Sequence, residues 1–286
     1  MKNKFLTTFV SSALMLSATV LMASEPEQNV AKDAKAPVVT KAVEPAVQAK
    51  APVEKKEAHT VPHWGYAAGA GAPENWGKLS PNFSACESGH NQSPIDIKKT
   101  VEANLPAIKF KYNMLSAADI INNGHTVQVN LWSGGEIILD GEQFTLKQFH
   151  FHTPSENTIN GKNFPLEVHL VHLNKKNEIA VVAIMFEPGE DDELLTALWQ
   201  HIPLKAGESH KLDAKALKAM EFESELTSYY RFYGSLTTPP CTEGVRWIVM
   251  KNTRHVSQAQ VLTFQKALTH SNNRPVQPLN ARVIVE

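Results

Sequence analysis

Two segments with the alternating pattern of β-strands carry histidines, and they constrain the fold of this chain more than any other feature. Segment 143–152 reads QFTLKQFHFH and segment 166–173 reads LEVHLVHL. Successive side chains of a strand point to opposite faces, so His150 and His152 are predicted to share one face, about 7 Å apart along the strand. Two imidazoles at this spacing can converge on one metal ion.

Strict alternation assigns each residue of the two segments to a face. In the first segment the histidine face is predicted to hold Phe144, Leu146, Gln148, His150 and His152, and the opposite face Thr145, Lys147, Phe149 and Phe151. In the second segment one face is predicted to hold Glu167, His169 and Val171, and the other Val168, Leu170 and His172.

If the two strands are neighbours, His169 can supply a third nitrogen beside His150 and His152. Three neutral imidazoles leave a fourth tetrahedral position open, which is the arrangement of a catalytic zinc site. Metal-bound histidines usually donate their other N–H to an outer acceptor, and Gln148 and Glu167 lie on the correct faces for this role.

The spacing alone does not decide between a metal site and a structural role. A single histidine on a strand is more often a hydrogen-bonded core residue than a ligand, and a His-x-His pattern by itself is a weak signal. The second strand with its acid-x-His pattern brings the two interpretations to about equal weight.

The rest of the segment after residue 61 indicates a mainly β domain with a few small helices. The predicted strands are 107–113, 118–122, 125–131, 136–139, 143–152, 166–173, 179–186 and 245–250. Asn-Gly, Gly-Gly and Asp-Gly pairs between them are typical of tight turns. Helices are predicted at 191–202, 213–220 and 258–268, the last opened by a capping box of Ser257 and Gln260.

The first 60 residues are not expected to belong to this domain. Lys2 and Lys4 precede an uncharged apolar run, and small residues follow at Ala23, so residues 1–23 are predicted to be a secretory signal peptide. An uncleaved membrane anchor is the alternative, because about 18 residues is near the lower limit for a span. The localisation predicted from the signal peptide is periplasmic or secreted, with no membrane span left after cleavage.

Residues 24–60 contain six acids, six lysines and four prolines but no aromatic residue. Such a segment cannot bury enough apolar surface to offset its ordering entropy, so it is predicted to be a disordered tether. A docking role is the less favoured alternative. Residues 61–286 show no repeat and no linker and are predicted to form one domain.

The overall charge and the cysteine count exclude other classes of protein. The chain has 28 basic and 29 acidic residues and a formal net charge of -1, so it lacks the basic excess that nucleic-acid binding requires. Two cysteines are too few for a disulfide-rich scaffold or a Cys₄ zinc module.

A third unusual segment, 233–247, reads YGSLTTPPCTEGVRW. The double proline restricts the loop, and the threonines before it hold hydroxyls in a rigid backbone. A fixed hydroxyl beside an acid could orient a metal-bound hydroxide. Taken alone, however, the segment is more simply interpreted as a loop that connects strands.

Several motifs together resemble the α-class carbonic anhydrases. They are QFHFH at 148–152, SEN at 155–157, EVHLVH at 167–172, SLTTPPCTE at 235–243, HWGY at 63–66, NQSPIDI at 91–97, NNGH at 122–125 and NNRPVQPLN at 272–280. The resemblance covers about 61–286. It implies a central, twisted, mostly antiparallel sheet of ten strands with small helices around it. It also implies the reversible hydration of CO₂ to bicarbonate and a proton by zinc-bound hydroxide.

The resemblance also implies roles for individual residues. It implies Zn²⁺ on His150, His152 and His169, with Gln148, Glu167 and the carbonyl of Asn272 as their outer partners. Thr237 would accept a hydrogen bond from the hydroxide, and Glu156 would take the hydroxyl proton of Thr237. Glu243 lies near the same loop and ranks below Glu156 for this role.

The remaining implied roles concern the substrate and the proton. The apolar wall for CO₂ would comprise Val171, Val181, Leu236, Val245 and Trp247, with Thr238 ordering water or bicarbonate beside it. His125 would be the proton shuttle; without the resemblance, a histidine after Asn-Gly is more simply interpreted as a turn residue. Tyr66, Asn122 and Gln128 would line the path to solvent. Gln128 stands where Asn is common in the family, which leaves the rate of proton transfer open.

Cys86 and Cys241 match positions that are bridged in secreted members of the family, and an exported domain is expected to oxidise them. Two buried thiols are the alternative. Two other functional classes stay open: a non-catalytic binding module of the same fold, and a zinc hydrolase of esters. Whether the domain forms a homodimer is also left open by the sequence.

Overall fold

The alternating segments of the sequence form strands, and most of these strands join in one large sheet. The computed structural model describes residues 63–112, 118–220 and 227–286. The predicted signal peptide, 1–23, and tether, 24–60, lie outside the described residues. The described strands are β1 (Asp96–Ile97), β2 (Lys109–Lys111), β3 (Ala118–Asn122), β4 (Val127–Leu131), β5 (Glu136–Leu139), β6 (Glu142–His152), β7 (Thr158–Ile159), β8 (Leu166–Leu173), β9 (Ile179–Pro188), β10 (Ser209–Leu212), β11 (Tyr229–Ser235), β12 (Glu243–Met250) and β13 (Arg254–Val256).

Eleven of these strands form a mixed sheet, one strand more than expected within the described part of the chain. Its main order is β10-β3-β4-β6-β8-β9-β12-β11; β13 also pairs with β9, and β5 links β2 to β6. Most pairs are antiparallel, while β12 and β13 run parallel to β9. The predicted fold, a large and mostly antiparallel sheet, is therefore confirmed.

Some strand predictions were incomplete. The strand predicted at 107–113 extends only over Lys109–Lys111, and residue 113 lies outside the described residues. β11 was not predicted. Its seven residues, YYRFYGS, do not alternate between buried and exposed positions, and its ladder with β12 shifts register at Gly234 and Ser235. β1, β7, β10 and β13 are also absent from the prediction, and they have only two to four residues each.

In the part of the chain that the structure describes, five short α-helices lie around the sheet: α1 (Trp76–Leu79), α2 (Ala85–Ser88), α3 (Glu193–Trp199), α4 (Ala214–Leu217) and α5 (Gln258–Leu268). Two 3₁₀-helices, Pro73–Asn75 and Pro81–Phe83, flank α1. α5 has the predicted bounds, and both bonds of its Ser257–Gln260 capping box are present. α3 is shorter than the predicted 191–202, because Asp192 caps its first turn by accepting a hydrogen bond from the Leu195 N–H. α4 ends after one turn and continues as a 3₁₀-helix over Lys218–Met220, within the predicted 213–220.

The sheet separates two apolar clusters. The larger cluster contains inward residues of β8 such as Val168 and Leu170, together with Leu194 of α3 and Phe264 of α5. The smaller cluster lies on the other face and contains residues of β9 and β12, among them Val181 and Trp247. Burial on both faces explains why β9 is apolar at nearly every position rather than alternating.

The predicted faces of β6 are wrong in its first half. Phe144 and Leu146 belong to the same apolar cluster as Phe149 and Phe151, on the side of the strand opposite the histidines. The ladder with β8 passes from Leu146 directly to Gln148, so Lys147 is an extra, exposed residue in a β-bulge. A bulge adds one residue to one strand, and it therefore shifts the alternation by one position.

A disulfide joins the start of the described chain to the loop after β11. Cys86 of α2 is bonded to Cys241 with an S–S distance of 2.07 Å, across 155 positions of sequence. This is the pairing that the resemblance implied. It ties α2 to the loop that contains Thr237 and Thr238.

Candidate metal centre

Three histidines meet on one face of the sheet because β6 and β8 are neighbours. His150 stands opposite His169 in the ladder, and His152 stands opposite Glu167. The potential ligand atoms of His150, His152 and His169 all lie within 4.8 Å of one another. His152 and His169 are buried, and His150 is half-buried at the open side.

Hydrogen bonds hold two of the rings so that Nε2 faces the shared centre. Nδ1 of His150 lies 2.8 Å from Oε1 of Gln148, and Nδ1 of His152 lies 2.8 Å from the carbonyl oxygen of Asn272. Both acceptors are oxygens, so each Nδ1 carries the proton and each Nε2 keeps a lone pair. Nε2 of His152 is buried and has no hydrogen-bond partner among the described residues.

His169 is turned the other way and lies beside a fixed carboxylate. Its Nε2 lies 2.9 Å from Oε1 of Glu167, although the N–H direction falls short of a well-formed hydrogen bond. Glu167 in turn accepts hydrogen bonds from the backbone N–H of Glu156 at 2.6 Å and from the backbone and side chain of Asn157 at 3.0 and 2.8 Å. The carboxylate therefore cannot turn freely. Because Nε2 of His169 faces this carboxylate, its Nδ1 faces the other two rings.

The electrostatic surroundings keep all three rings neutral. Burial lowers the pKa of His150, His152 and His169 below the usual value, and the neighbouring imidazoles lower it further for His150 and His169. Neutral nitrogen donors in a group of three, one of them a buried nitrogen with no partner, fit the donor set of a zinc ion.

Glu156 is completely buried next to this group. Its Oε1 accepts a hydrogen bond from the backbone N–H of Arg274 at 2.8 Å, while its Oε2 lies 3.5 Å from Nε2 of His152 and 3.9 Å from Nδ1 of His169. Burial raises the pKa of Glu156 to about 8, against the lowering effect of hydrogen bonds from the Arg274 backbone and the Thr237 side chain. The structure thus brings Thr237, Glu156 and the histidines together.

The centre opens into a cavity of about 240 Å³ with one apolar side and one polar side. Val171, Val181, Leu236 and Trp247 line the apolar side, and Thr237 and Thr238 lie at its edge. Val245 does not line the cavity; it is fully buried in the apolar cluster behind this wall. A larger hollow of about 600 Å³ lies beside α3 and α4 and contains none of the three histidines.

His125 lies at the rim, packed against Trp64. The two rings are stacked with centroids 3.8 Å apart and planes 7° apart, and the His63 ring is 6.3 Å away. Burial lowers the pKa of His125, and the nearby His63 and His270 lower it further. Its half-buried position between the cavity and solvent suits a group that exchanges protons with both.

Two of the residues expected on the path to solvent line the cavity, and one does not. Tyr66 and Gln128 are lining residues. Asn122 is buried, and its side-chain amide donates hydrogen bonds to the carbonyls of Ala267 at 2.8 Å and Pro203 at 3.3 Å. The assignment of Asn122 to the path was therefore wrong: the turn of the chain directs the next residue, Asn123, toward the cavity instead.

Glu243 has a different position from Glu156. Its Oε1 accepts hydrogen bonds from the backbone N–H of Asn91 at 2.7 Å and from the side chain of Gln92 at 3.1 Å. It fastens the start of β12 to the segment after α2 and does not line the cavity.

Three residues of the site have no role predicted from the sequence: Trp64, Thr126 and Arg274. Trp64 and Thr126 line the cavity, and the hydroxyl of Thr126 donates a 2.6 Å hydrogen bond to the carbonyl of Phe151, between two of the grouped histidines. Trp64 lies in the HWGY motif, in which only Tyr66 has a role predicted from the resemblance. Arg274 lies in the NNRPVQPLN motif, to which a role was assigned only at Asn272, and the residues that it contacts are more than 100 positions away.

In the part of the chain that the structure covers, none of the helices combines the length and apolar character needed to cross a membrane.

Comparisons with known proteins agree with this geometry. Residues 71–286 match the family model described as eukaryotic-type carbonic anhydrase. A carbonic anhydrase of Neisseria gonorrhoeae is 49% identical over 228 residues, covering 78% of this chain and 88% of that protein. A carbonic anhydrase of Pectobacterium carotovorum is 46% identical over 223 residues, covering 78% of this chain and 90% of that protein. A solved structure of the α-carbonic anhydrase from Thermovibrio ammonificans, in complex with the inhibitor sulfanilamide, has a TM-score of 0.72 and 43% identity, covering 79% of this chain and 99% of that chain.

Proposed function

The chain belongs to the family of eukaryotic-type, or α-class, carbonic anhydrases, and from this membership we propose that it hydrates CO₂ reversibly with a zinc ion held by His150, His152 and His169. The observation that carries the proposal is the meeting of three neutral imidazoles, whose ligand atoms lie within 4.8 Å, at the floor of a cavity with an apolar wall.

The three histidines suit zinc in number, type and protonation. They would occupy three tetrahedral positions and leave the fourth open toward the cavity. When bound, zinc lowers the pKa of a water molecule to about 7 and so supplies a nucleophile at neutral pH, a value for which carbonic anhydrase is the general example. Gln148, Glu167 and the Asn272 carbonyl hold the rings in the required orientation.

Thr237 and Glu156 would orient the attacking water. The oxygen of Thr237 can accept a hydrogen bond from that water only if its own hydroxyl proton is donated elsewhere. Glu156 would be the acceptor: its Oε2 is buried with no hydrogen-bond partner among the described residues, and the nearby Thr237 side chain lowers its pKa against the effect of burial. These two hydrogen bonds in series would aim a lone pair of the water oxygen at the carbon of CO₂, which is a positioning effect.

The apolar wall would hold CO₂ before the reaction. The substrate is small and uncharged, so it is attracted to a desolvated pocket formed by Val171, Val181, Leu236 and Trp247 rather than to charged groups. Val245 supports this wall from behind, and Thr238 at its edge would order water or bicarbonate.

His125 would carry the proton released by the reaction to solvent. It lies at the cavity rim, half-buried. Histidine is the side chain whose ordinary pKa is closest to neutral, and here burial and the nearby His63 and His270 lower the pKa of His125 below that value. Tyr66, Asn123 and Gln128 line the space between it and the histidine group. Asn123 takes the place first assigned to Asn122.

The direct test is the zinc content and the stopped-flow CO₂ hydration rate of the purified protein. We expect one zinc per chain, loss of activity after chelation, and recovery when zinc is added back. Ester turnover is measured in parallel. Absence of CO₂ hydration in zinc-loaded protein would refute the proposal, and ester hydrolysis without CO₂ hydration would favour the hydrolase alternative.

We also propose that the protein is exported and cleaved near Ala23, which leaves the segment 24–60 as a tether at the N-terminus of the domain. The disulfide between Cys86 and Cys241 supports an oxidising compartment. N-terminal sequencing of the protein recovered from the periplasm or medium tests this, and a chain that retains Met1 would contradict it.

A further inference from the structure

Arg274 is an almost completely buried arginine whose side chain binds neutral groups. It is 2% exposed. Its guanidinium donates hydrogen bonds to Oε1 of Gln92 at 2.9 Å, to the carbonyl of Ser93 at 2.8 Å and to the carbonyl of Cys86 at 3.1 Å. The guanidinium also lies 5.6 Å from the centre of the Trp76 ring.

Such a burial needs a reason, because removing a charge from water is costly unless a partner compensates for it. Within the described residues, no carboxylate lies within ion-pair distance of the guanidinium. Burial lowers the pKa of Arg274 to about 10, although the charges of Glu156 and Tyr66 act in the opposite direction. One of its three acceptors, Cys86, lies in α2 and is held by the disulfide, and the other two, Gln92 and Ser93, lie in the segment between α2 and β1. The side chain is therefore an anchor that joins its own backbone to a rigid part of the fold.

The backbone anchored in this way contacts the metal centre at two points. The carbonyl of Asn272 accepts the hydrogen bond from Nδ1 of His152, and the N–H of Arg274 donates to Oε1 of Glu156. The bond from Arg274 occupies one oxygen of Glu156 and leaves the other oxygen toward the histidines. Residues 272–274 thus orient both the His152 ring and the Glu156 carboxylate.

This stretch is a coil segment without a ladder to hold it. It belongs to no described helix or strand. Pro275 restricts Arg274 to extended backbone but supplies no hydrogen bond from its nitrogen. The Asn272 side chain binds the end of β6 and the residue after it. Its Oδ1 accepts a hydrogen bond from the Thr153 N–H at 2.9 Å, and its amide donates one to the Phe151 carbonyl at 2.8 Å. At the Arg274 end the guanidinium supplies the side-chain anchor, and the next backbone hydrogen bond beyond it runs from the Gln277 N–H to the Pro94 carbonyl at 2.8 Å.

We propose that Arg274 is a positioning residue of the metal centre: its side chain fixes segment 272–274 so that Asn272 holds His152 and the Arg274 N–H holds Glu156. This inference rests on the proposed function, since it assumes that the three histidines bind zinc. Loss of the anchor would let both backbone groups move away from these positions. A misplacement of about 1 Å can cost about 100-fold in rate, and a disturbed outer partner weakens a metal ligand.

The test is Arg274→Met, which keeps the length and apolar stem of the side chain but removes its donors. We expect zinc to dissociate about 10- to 100-fold faster in competition with a chelator, and kcat/KM for CO₂ per bound zinc to fall by a similar factor. The visible spectrum of the cobalt-substituted protein should also change, because it reports the geometry of the ligands. Arg274→Lys keeps the charge and part of the bonding, so it should recover part of each loss, and it replaces the methionine variant if that variant does not fold.

Arg231→Met is the matched control. Arg231 is also a largely buried arginine, but it pairs with Asp140 on the surface of the sheet and does not line the cavity. It should lower the melting temperature without changing zinc dissociation, the cobalt spectrum or activity per zinc. The inference is overturned if Arg274→Met has wild-type zinc dissociation and activity per zinc, or if the control changes them equally. A wild-type protein that binds no zinc would instead refute the proposed function.

Discussion

Reduction of the Cys86–Cys241 disulfide is expected to cost this domain much of its stability while leaving the proposed zinc ion in place. The bond closes a loop of 155 residues. In the chain-entropy model a loop of this length stabilises the folded state by about 5 kcal/mol, and measured values for native disulfides are about 2–5 kcal/mol. For a domain of this size that corresponds to a fall in melting temperature of about 5–20 °C.

The zinc should stay because no bond to the histidines passes through the sulfur atoms. The contacts from this region to the metal centre use the carbonyls of Cys86 and Cys241, which accept hydrogen bonds from Arg274 at 3.1 Å and from Gln92 at 3.0 Å. These carbonyls remain after reduction. Below the lowered melting temperature, therefore, the reduced protein should still contain one zinc per chain.

The assay compares guanidinium unfolding of oxidised and reduced protein, with zinc measured by elemental analysis in the folded range. Thiol titration of the unfolded, unreduced protein should find no free cysteine. The double variant Cys86→Ala/Cys241→Ala checks that the effect comes from the bond rather than from the reductant. Two titratable thiols, or unfolding midpoints for the two forms that coincide, would refute the reasoning; loss of zinc before unfolding would show that the bond also holds the ligands.

Three further predictions concern histidines. His169→Ala should lose most of its zinc and activity, because two imidazoles remain where three are needed; full zinc occupancy by elemental analysis would count against its role as a ligand. His125→Ala should lower kcat in dilute buffer but leave kcat/KM for CO₂ nearly unchanged, and added imidazole should restore kcat; a parallel fall of both constants would mean that His125 serves the hydration step or the fold. Burial lowers the pKa of His172 to about 4, from 6.5, so the unfolded chain takes up its proton first as the pH falls. The free energy of unfolding should therefore fall by about 3 kcal/mol between pH 6.5 and pH 4 because of this group. Denaturant titrations at several pH values should show a smaller fall for His172→Gln, and an unchanged pH dependence in that variant would contradict the prediction.

The three grouped histidines could be predicted from the sequence as candidate ligands because their signal is local. A spacing of two on one strand and an acid-x-His pattern on another follow directly from the period of a β-strand. That His150 stands opposite His169 could not be deduced in this way, because the register depends on the pairing of two whole strands. The resemblance to a family supplied that step.

Other parts of the site were not visible because they depend on contacts between distant segments. The Asn272 carbonyl reaches His152 across 120 positions, and the Arg274 N–H reaches Glu156 across 118. Asn122 and Asn123 are adjacent and chemically identical, and only the course of the turn decides which one lines the cavity. Sequence patterns specify the faces of regular elements better than the directions of side chains in turns.

The bulge at Lys147 marks a place where the length of the chain can change during evolution. The residues on either side of it, Leu146 and Gln148, already pair with consecutive residues of β8. A chain that lost Lys147 would therefore form a regular ladder, with its phenylalanines still in the core and its histidines still on the opposite face. Removing a residue between Gln148 and His152 would instead reverse the faces of the residues on one side of the deletion, and at least one of the grouped histidines would then point into the apolar core. We therefore expect homologous chains to tolerate an insertion or a deletion at the bulge and to keep the following five positions at constant length.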